Sequence, residues 1–306
     1  MTRILFTFFV AVGLLVGSVS PSVARVRDDF GVLVMAHGAG PTWNREVEAM
    51  AAPLREDYPV EIAFGMADAN SLQEGVRRLE AQGVRRIGVV RLFVSGESWG
   101  ERTEQILGLR PGAPPKPAAH GAHGAAGGHS MDLWRIDTNA SFALSAQGLA
   151  AAPEMGPVLV ERALALSHNP TRESVLILAH GPEDDAEDQR WRAQIDARAD
   201  EVRKAAPFKR VQVETLREDW PEKRAASEAS IRACVEQASR DGAQVIVIPY
   251  RVQGFGPYAE VLRGLSYVSD GRGLLPSAEV ERWVRRQVEA LRSGAFRAPA
   301  RAPVAE

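Results

Sequence analysis

The chain has 306 residues, with 37 Lys and Arg against 39 Asp and Glu, and a formal net charge of −2 at pH 7. This nearly balanced charge provides no extended positive field for a phosphate backbone, which argues against nucleic acid as a partner. Cys234 is the only cysteine, so no internal disulfide can form. The length suits two domains of ordinary size, each able to bury its own core.

The N-terminus has the pattern of a secretory signal peptide. Arg3 precedes an apolar run over residues 4–16, and small residues follow at Ser22 and Ala24. The run is shorter than the ~20 apolar residues that a membrane span needs, so we expect no stable membrane anchor. The pattern predicts a signal peptide over residues 1–24 and an exported, periplasmic protein, with a retained N-terminal anchor as the alternative.

Two continuous apolar runs, at residues 31–36 and 174–179, predict strands that are buried on both faces of a parallel sheet. Each run is followed at once by His-Gly, at His37 and at His180, and then by a polar loop and an amphipathic helix. This repetition predicts two related halves.

Each half continues with alternating helices and strands. The first half predicts a helix over 44–56, a strand over 60–64, a helix over 71–82 and a strand over 87–94. The second predicts a helix over 189–205, a strand over 210–215, a helix over 225–240 and a strand over 244–249. Such alternation predicts an α/β fold with two doubly wound parallel sheets, in which ligands bind beyond the carboxyl ends of the strands.

The segment between the halves, residues 110–130, is rich in Pro and Gly and predicts a mobile loop. Its histidines, His120, His123 and His129, match no structural zinc pattern, so they are either a metal-collecting arm or part of a low-complexity insert. We expect a helix over 157–166 to close the first half and a last helix over 276–291. The predicted domains are residues 25–160 and 161–295, followed by a disordered tail over 296–306.

The strand, His-Gly and acidic helix around His37 resemble the class II chelatases, the group of sirohydrochlorin cobalto- and ferrochelatases that includes the CbiX- and SirB-like proteins. The strand over 90–94 and the segment 164–170 before the second motif are also similar to that family. The resemblance covers nearly the whole chain after the signal peptide. It implies two tandem chelatase-like domains of flavodoxin-like fold and a lyase that inserts Co²⁺, Fe²⁺ or Ni²⁺ into a tetrapyrrole such as sirohydrochlorin. The metal is then a substrate, and no organic cofactor is implied.

The same resemblance implies the site residues. His37 is expected to be catalytic and to bind the metal, because imidazole binds borderline metals and can accept a pyrrole proton. Glu97 takes the place of a second family ligand, with Glu101 in reserve, and is expected to be both catalytic and a metal ligand. His180 is expected to bind metal and, with Trp99, to line the tetrapyrrole pocket. The alternatives are structural: a histidine bonded to a loop, a solvated glutamate and a tryptophan in the core.

The second half departs from the family pattern, since residues 250–258 offer neither His nor carboxylate after the third strand. Arg251 or Tyr258 could instead contact the rim of a flat anionic ligand. This departure favours an alternative function, a non-catalytic exported protein that binds a metal or a tetrapyrrole. A third hypothesis is an interaction module without a metal site, and no oligomeric state is predicted.

Overall fold

The computed structural model describes residues 29–38, 40–117 and 132–300. Within these residues seven strands form two sheets. The strands are β1 Phe30–Ala36, β2 Val60–Phe64, β3 Arg86–Leu92, β4 Ser141–Leu144, β5 Glu173–Ala179, β6 Arg210–Thr215 and β7 Gln244–Tyr250. The α-helices are α1 Pro41–Ala51, α2 Ala69–Ala81, α3 Gly100–Ile106, α4 Met155–Leu166, α5 Asp185–Ala205, α6 Pro221–Arg240, α7 Tyr258–Val261 and α8 Ala278–Arg292.

Both sheets are parallel, which confirms the predicted α/β class with two tandem sheets. The first has the strand order β2-β1-β3-β4 and the second the order β6-β5-β7. The central strands β1 and β5 are buried along their whole length, as their continuous apolar sequences predict. In the second sheet the position of a fourth strand is reduced to a single parallel bridge from Ile246 to Val268.

The predicted strands agree with the structure to within one or two residues at each end, and the helices to within about four. Helix α3 and strand β4 were not predicted. Strand β4 has only four residues, too few for a pattern of alternation to stand out. Helix α3 begins after Trp99, whose left-handed backbone (φ 60°) closes the preceding loop, and the helix itself is short and mostly polar.

The first three strands of the two halves are equivalent in order and register. Ala36 lies opposite Phe64 and Leu92 in the first sheet, and its counterpart Ala179 lies opposite Thr215 and Tyr250 in the second. The two His-Gly motifs therefore occupy the same place, just beyond the carboxyl end of the central strand. The glycine of each motif adopts a left-handed backbone, with φ 76° in the first half and 79° in the second.

Each half is completed by a helix from the other part of the chain. Helix α4, which was expected to close the first half, packs against α5 and β7, and helix α8 packs against β3 and α1. Arg162 of α4 donates hydrogen bonds to Asp270 and to the Gly273 carbonyl, both in the second half. The predicted domain boundary after residue 160 falls inside α4, at a helix that belongs spatially to the second half.

The faces of the two sheets that meet these helices share one hydrophobic core. It contains alternate residues of both central strands, such as Val32 and Val34 of β1 and Val175 and Ile177 of β5. The outer faces carry separate cores, under α2 and α3 in the first half and under α6 and α7 in the second. The molecule is thus layered, with a common core between two sheets and one further core outside each.

The C-terminal segment 296–300 was expected to be disordered, and the structure instead packs it against the first half. Phe296 contacts Phe30 edge to face, and Arg297 pairs with Phe142 in an antiparallel bridge. The buried edge of β4 offers backbone groups that this segment satisfies. The predicted signal peptide, His120, His123 and His129, and the tail from residue 301 lie outside the described residues. Within the described part of the chain, no helix combines the length and apolarity needed to cross a membrane.

Candidate metal centre

The first histidine, His37, is exposed at the carboxyl end of β1. Its Nδ1 lies 2.6 Å from the Gly38 carbonyl oxygen, and its ring meets Trp43 edge to face at 6.4 Å between centroids. An Nδ1–H that donates to this carbonyl makes Nε2 the ring nitrogen that carries the lone pair. In the described residues, His37 belongs to no group of three metal-binding side chains.

The second histidine, His180, has the same backbone contact and very different neighbours. Its Nδ1 lies 2.6 Å from the Gly181 carbonyl oxygen. Its Nε2 lies 3.0 Å from Oδ2 of Asp219 and 3.2 Å from Oε1 of Glu218. Together these three residues form a group whose potential ligand atoms all lie within 4.8 Å of one another.

This geometry suits a cation. With the Nδ1 proton donated to a carbonyl, the lone pair of Nε2 would face two carboxylate oxygens of Glu218 and Asp219. One imidazole nitrogen and two carboxylate oxygens that converge in this way form a donor set of the kind that binds a divalent cation. Ligands about 2.1 Å from a metal and at right angles to each other are about 3 Å apart, which matches the observed separations.

The loop between β6 and α6 places both carboxylates. Arg217 adopts a left-handed backbone (φ 56°), and its amide donates to the His180 carbonyl oxygen. Its guanidinium is buried and anchors the loop through the Pro182 carbonyl and the Asp185 carboxylate. The turn at Arg217 therefore directs the two following residues, Glu218 and Asp219, towards the imidazole.

Glu218 is also held from the other side. Nη1 of Arg251, which follows β7, lies 2.7 and 2.8 Å from the two carboxylate oxygens of Glu218. Only 12% of the Glu218 side chain is exposed, against 69% for Asp219. Three adjacent strands thus supply the site from their carboxyl ends, with His180 after β5, Glu218 and Asp219 after β6, and Arg251 after β7.

The first half lacks the carboxylates at this position. Its loop between β2 and α2, residues 65–68, is one residue shorter than the corresponding loop, residues 216–220. The single carboxylate in the shorter loop, Asp68, is buried and caps α2 by accepting a hydrogen bond from the Ser71 amide. The two histidines therefore share a backbone position, and in the described part of the chain only His180 belongs to a group of three potential metal ligands.

Glu97, the expected partner of His37, makes a bidentate pair with Arg190 of α5. The two side-chain hydrogen bonds are 3.0 and 2.8 Å long, and both side chains are half exposed. The hydrogen bond from Arg190 lowers the pKa of Glu97 below its ordinary value. The structure thus places Glu97 in a contact between the halves. A second contact also joins a residue after the third strand of one half to the first helix of the other half. In it, Gln253, which follows β7, donates a hydrogen bond to Glu46 of α1.

Two tryptophans lie near the carboxyl ends of the strands, and their surroundings differ. Trp99, expected in the tetrapyrrole pocket, is half-buried and packs against the core under α2 and α3. Trp220 directly follows the acidic pair, and its ring meets the His180 ring edge to face at 5.7 Å between centroids. Trp220 therefore borders the metal centre in the second half.

Glu218, Asp219 and Trp220 were missed in the sequence, although a signal was present. The resemblance implied ligands only after the first and third strands, whereas these residues follow the second predicted strand, over 210–215. In a parallel sheet with order β6-β5-β7, the ends of all three strands meet at one edge. The segment 216–220 was therefore a place where ligands to His180 could be expected.

Comparison with known proteins relates the chain to chelatases by sequence in part of the first half and by fold over most of its length. Residues 31–96 match the model of the CbiX family. No match was found among curated protein sequences.

Solved structures extend the likeness over most of the chain. SirB from Bacillus subtilis with Fe³⁺ is similar with a TM-score of 0.59 and 14% identity, covering 85% of this chain and 94% of that one. The cobalt complex of the sirohydrochlorin chelatase SirB from Bacillus subtilis subspecies spizizenii has a TM-score of 0.55 and 12% identity, covering 87% and 98%. A multi-domain protein from Deinococcus radiodurans with structural similarity to chelatases has a TM-score of 0.52 and 16% identity, covering 85% of this chain and 55% of that one. The family match covers residues 31–96 of the first half, and the solved chelatase structures show a shared fold that extends over both halves.

Proposed function

We propose that the protein inserts a divalent metal ion, Co²⁺ or Fe²⁺, into a tetrapyrrole such as sirohydrochlorin, with His180, Glu218 and Asp219 as the metal centre. The observation that carries this proposal is the approach of His180 Nε2 to two carboxylates at 3.0 and 3.2 Å. His37, on the equivalent strand, belongs to no group of three potential metal ligands among the described residues. The second half is therefore the better candidate for the reaction centre.

The three side chains offer both functions that metal insertion needs. Imidazole nitrogen with carboxylate oxygen suits borderline ions such as Co²⁺, Fe²⁺ and Ni²⁺. Insertion of a divalent ion into a tetrapyrrole displaces two protons, which require nearby bases. Asp219 is exposed and can pass protons to solvent, whereas Glu218 is largely buried and held by Arg251. Trp220 offers an aromatic surface beside the metal centre for a flat macrocycle.

The structural relatives support the choice of metals. The two SirB structures contain Fe³⁺ and cobalt, respectively. The N-terminal pattern of residues 1–24 supports export to the periplasm. The substrate is then a tetrapyrrole and a metal ion that are available outside the cytoplasm.

Insertion can be measured directly with the purified protein, Co²⁺ or Fe²⁺ and sirohydrochlorin, from the change in macrocycle absorption. We expect His180→Ala and Glu218→Gln to lower the rate by about 100-fold or more, because each removes a metal ligand or base. We expect His37→Ala to retain most of the rate, and it serves as the matched control. A His180→Ala protein as fast as wild type, or an equal loss in His37→Ala, would contradict the proposed centre.

A second candidate function is a non-catalytic protein that holds a metal or a tetrapyrrole. The contact of Arg251 with both oxygens of Glu218 favours it, since an arginine competes with a metal for that carboxylate. Stoichiometric Co²⁺ binding that depends on His180, together with an insertion rate no greater than that without protein, would establish this alternative.

A further inference from the structure

Arg251 occupies an unusual position in the metal centre. It follows β7 directly, and Tyr250, the last residue of that strand, lies opposite Ala179, the residue before His180. Its Nη1 contacts both oxygens of Glu218, one of which also lies 3.2 Å from His180 Nε2. The guanidinium therefore holds the same carboxylate that a metal ion would need.

The packing around Arg251 keeps it at the site without burying it completely. Its guanidinium lies over the ring of Tyr258, 5.8 Å from the centroid, and 24% of the side chain is exposed. The loop beyond it carries Gly256 in a left-handed conformation, and a Cβ there would lie 2.8 Å from the Arg251 guanidinium carbon. The guanidinium is thus partly accessible to a ligand at this edge of the sheet, and the glycine leaves room for it.

A guanidinium pairs strongly with any carboxylate, and sirohydrochlorin-type tetrapyrroles carry several carboxylates on their rim. We propose that Arg251 is a carboxylate-exchange residue. In the free protein it neutralises Glu218, and on macrocycle binding it transfers to a rim carboxylate, which releases Glu218 to the metal ion. This inference rests on the proposed function and adds an order of events, in which the macrocycle prepares the metal centre.

The exchange keeps the number of ion pairs constant. One guanidinium–carboxylate pair is broken and one is formed, so Arg251 is paired with a carboxylate both before and after the step. Glu218, which is 12% exposed, would otherwise be left as an unpaired and poorly hydrated charge, and the incoming cation compensates it. Asp219, which contacts His180 and no arginine in the described residues, can hold the metal before the exchange.

The test uses two separate titrations of the full chain, one with Co²⁺ alone and one with metal-free uroporphyrin, a porphyrin with eight carboxylates. Arg251→Gln is expected to bind Co²⁺ several-fold more tightly than wild type, because Glu218 is released. The same variant is expected to bind uroporphyrin about tenfold or more weakly, because a charge-assisted pair with the rim is lost. Arg251→Lys retains the charge and is expected to recover part of the uroporphyrin affinity.

The matched control is Arg203→Gln, at the far end of α5, which removes the same charge from an exposed pair with Asp196 and Asp200. Changes of opposite sign in Arg251→Gln, absent from this control, support the exchange. A fall in both affinities would show that Arg251 only holds Glu218 in place. Unchanged Co²⁺ affinity with weaker uroporphyrin binding would make it a rim contact alone, and either result overturns the exchange.

Failure of the proposed function has a different signature. If wild-type protein binds neither Co²⁺ nor uroporphyrin, both the proposed function and the exchange are contradicted. If wild-type protein inserts metal but Arg251→Gln and Arg203→Gln give the same affinities in both titrations, only the exchange is contradicted.

Discussion

The two histidines show how little the local motif determines on its own. His37 and His180 follow equivalent strands and precede equivalent left-handed glycines, and each directs Nδ1 at a backbone carbonyl 2.6 Å away. Their difference comes from a neighbouring loop that is remote in sequence, where Glu218 and Asp219 replace the helix-capping arrangement of Asp68. The sequence predicted the histidines from their strands, but not their acidic partners, because contacts between strand ends depend on strand order.

Glu97 is a second residue whose partner the local sequence did not predict. Its place after β3 was predicted, but its pairing with Arg190 of α5 depends on how the two halves face each other. The bidentate geometry gives this residue a role in joining the halves that does not depend on metal.

We expect the Glu97–Arg190 pair to contribute a small favourable coupling energy near pH 7, well below that of a buried pair, because both side chains are half exposed. A double-mutant cycle with Glu97→Gln and Arg190→Gln, measured by urea unfolding, gives this value. The pKa of Glu97 is lowered in the folded state, so the contribution is present above the ordinary pKa of about 4.3 and declines as the pH falls through the folded value. A coupling energy that rises on acidification would contradict this account.

At the scale of elements, the exchange of helices α4 and α8 is the feature that the sequence did not reveal. Helical periodicity predicted both segments to within about two residues at each end, since each buries a stripe of apolar residues. Periodicity identifies a buried face and not the sheet that covers it. The position of α8 against β3, far away along the chain, therefore had to come from the structure.

Helix α8 should contribute strongly to the stability of the first half. Trp283 is fully buried in the common core, and its indole N–H donates to Gln147 at 3.3 Å. We expect Trp283→Ala to lower the free energy of unfolding by about 3–5 kcal/mol, as a large cavity in a packed core does.

Arg282, the preceding residue on the same helix, provides the control for this variant. Its side chain is 66% exposed, and Arg282→Ala should change the free energy of unfolding by no more than about 0.5 kcal/mol. Urea denaturation followed by circular dichroism measures both. Equal small effects would mean that α8 does not cover the core as described.

At the scale of the molecule, the common core makes the two halves one cooperative unit. Both central strands and both exchanged helices contribute to it, with Val34 and Ile177 as examples from the two sheets. The hydroxyl of Tyr250 adds a buried hydrogen bond from the second half to the Leu149 carbonyl at 2.9 Å. A half that unfolded alone would expose the core of the other.

We therefore expect a single unfolding transition, coincident by tryptophan fluorescence and far-ultraviolet circular dichroism. Trp43 reports on the first half and Trp191 on the second, and Trp43→Phe and Trp191→Phe variants separate their signals. Two transitions at different urea concentrations would show that the halves are independent, as the predicted boundary after residue 160 implied.

The duplicated architecture followed from the sequence because two buried strands and two His-Gly motifs repeat in the same order. The proposed metal centre did not follow from the sequence, because it combines the ends of β5, β6 and β7, and only one of those ends carried a predicted ligand. The difference between the halves is thus a property of the assembled sheet, where the loop after β6 brings Glu218 and Asp219 to His180.

A crystal of the protein soaked with Co²⁺, with anomalous diffraction measured at the cobalt absorption edge, distinguishes the two histidines as metal ligands. We predict a peak about 2.1 Å from His180 Nε2 and from an oxygen of Asp219 or Glu218, with no peak of similar height at His37. A peak at His37 and Glu97, with none at His180, would contradict this prediction.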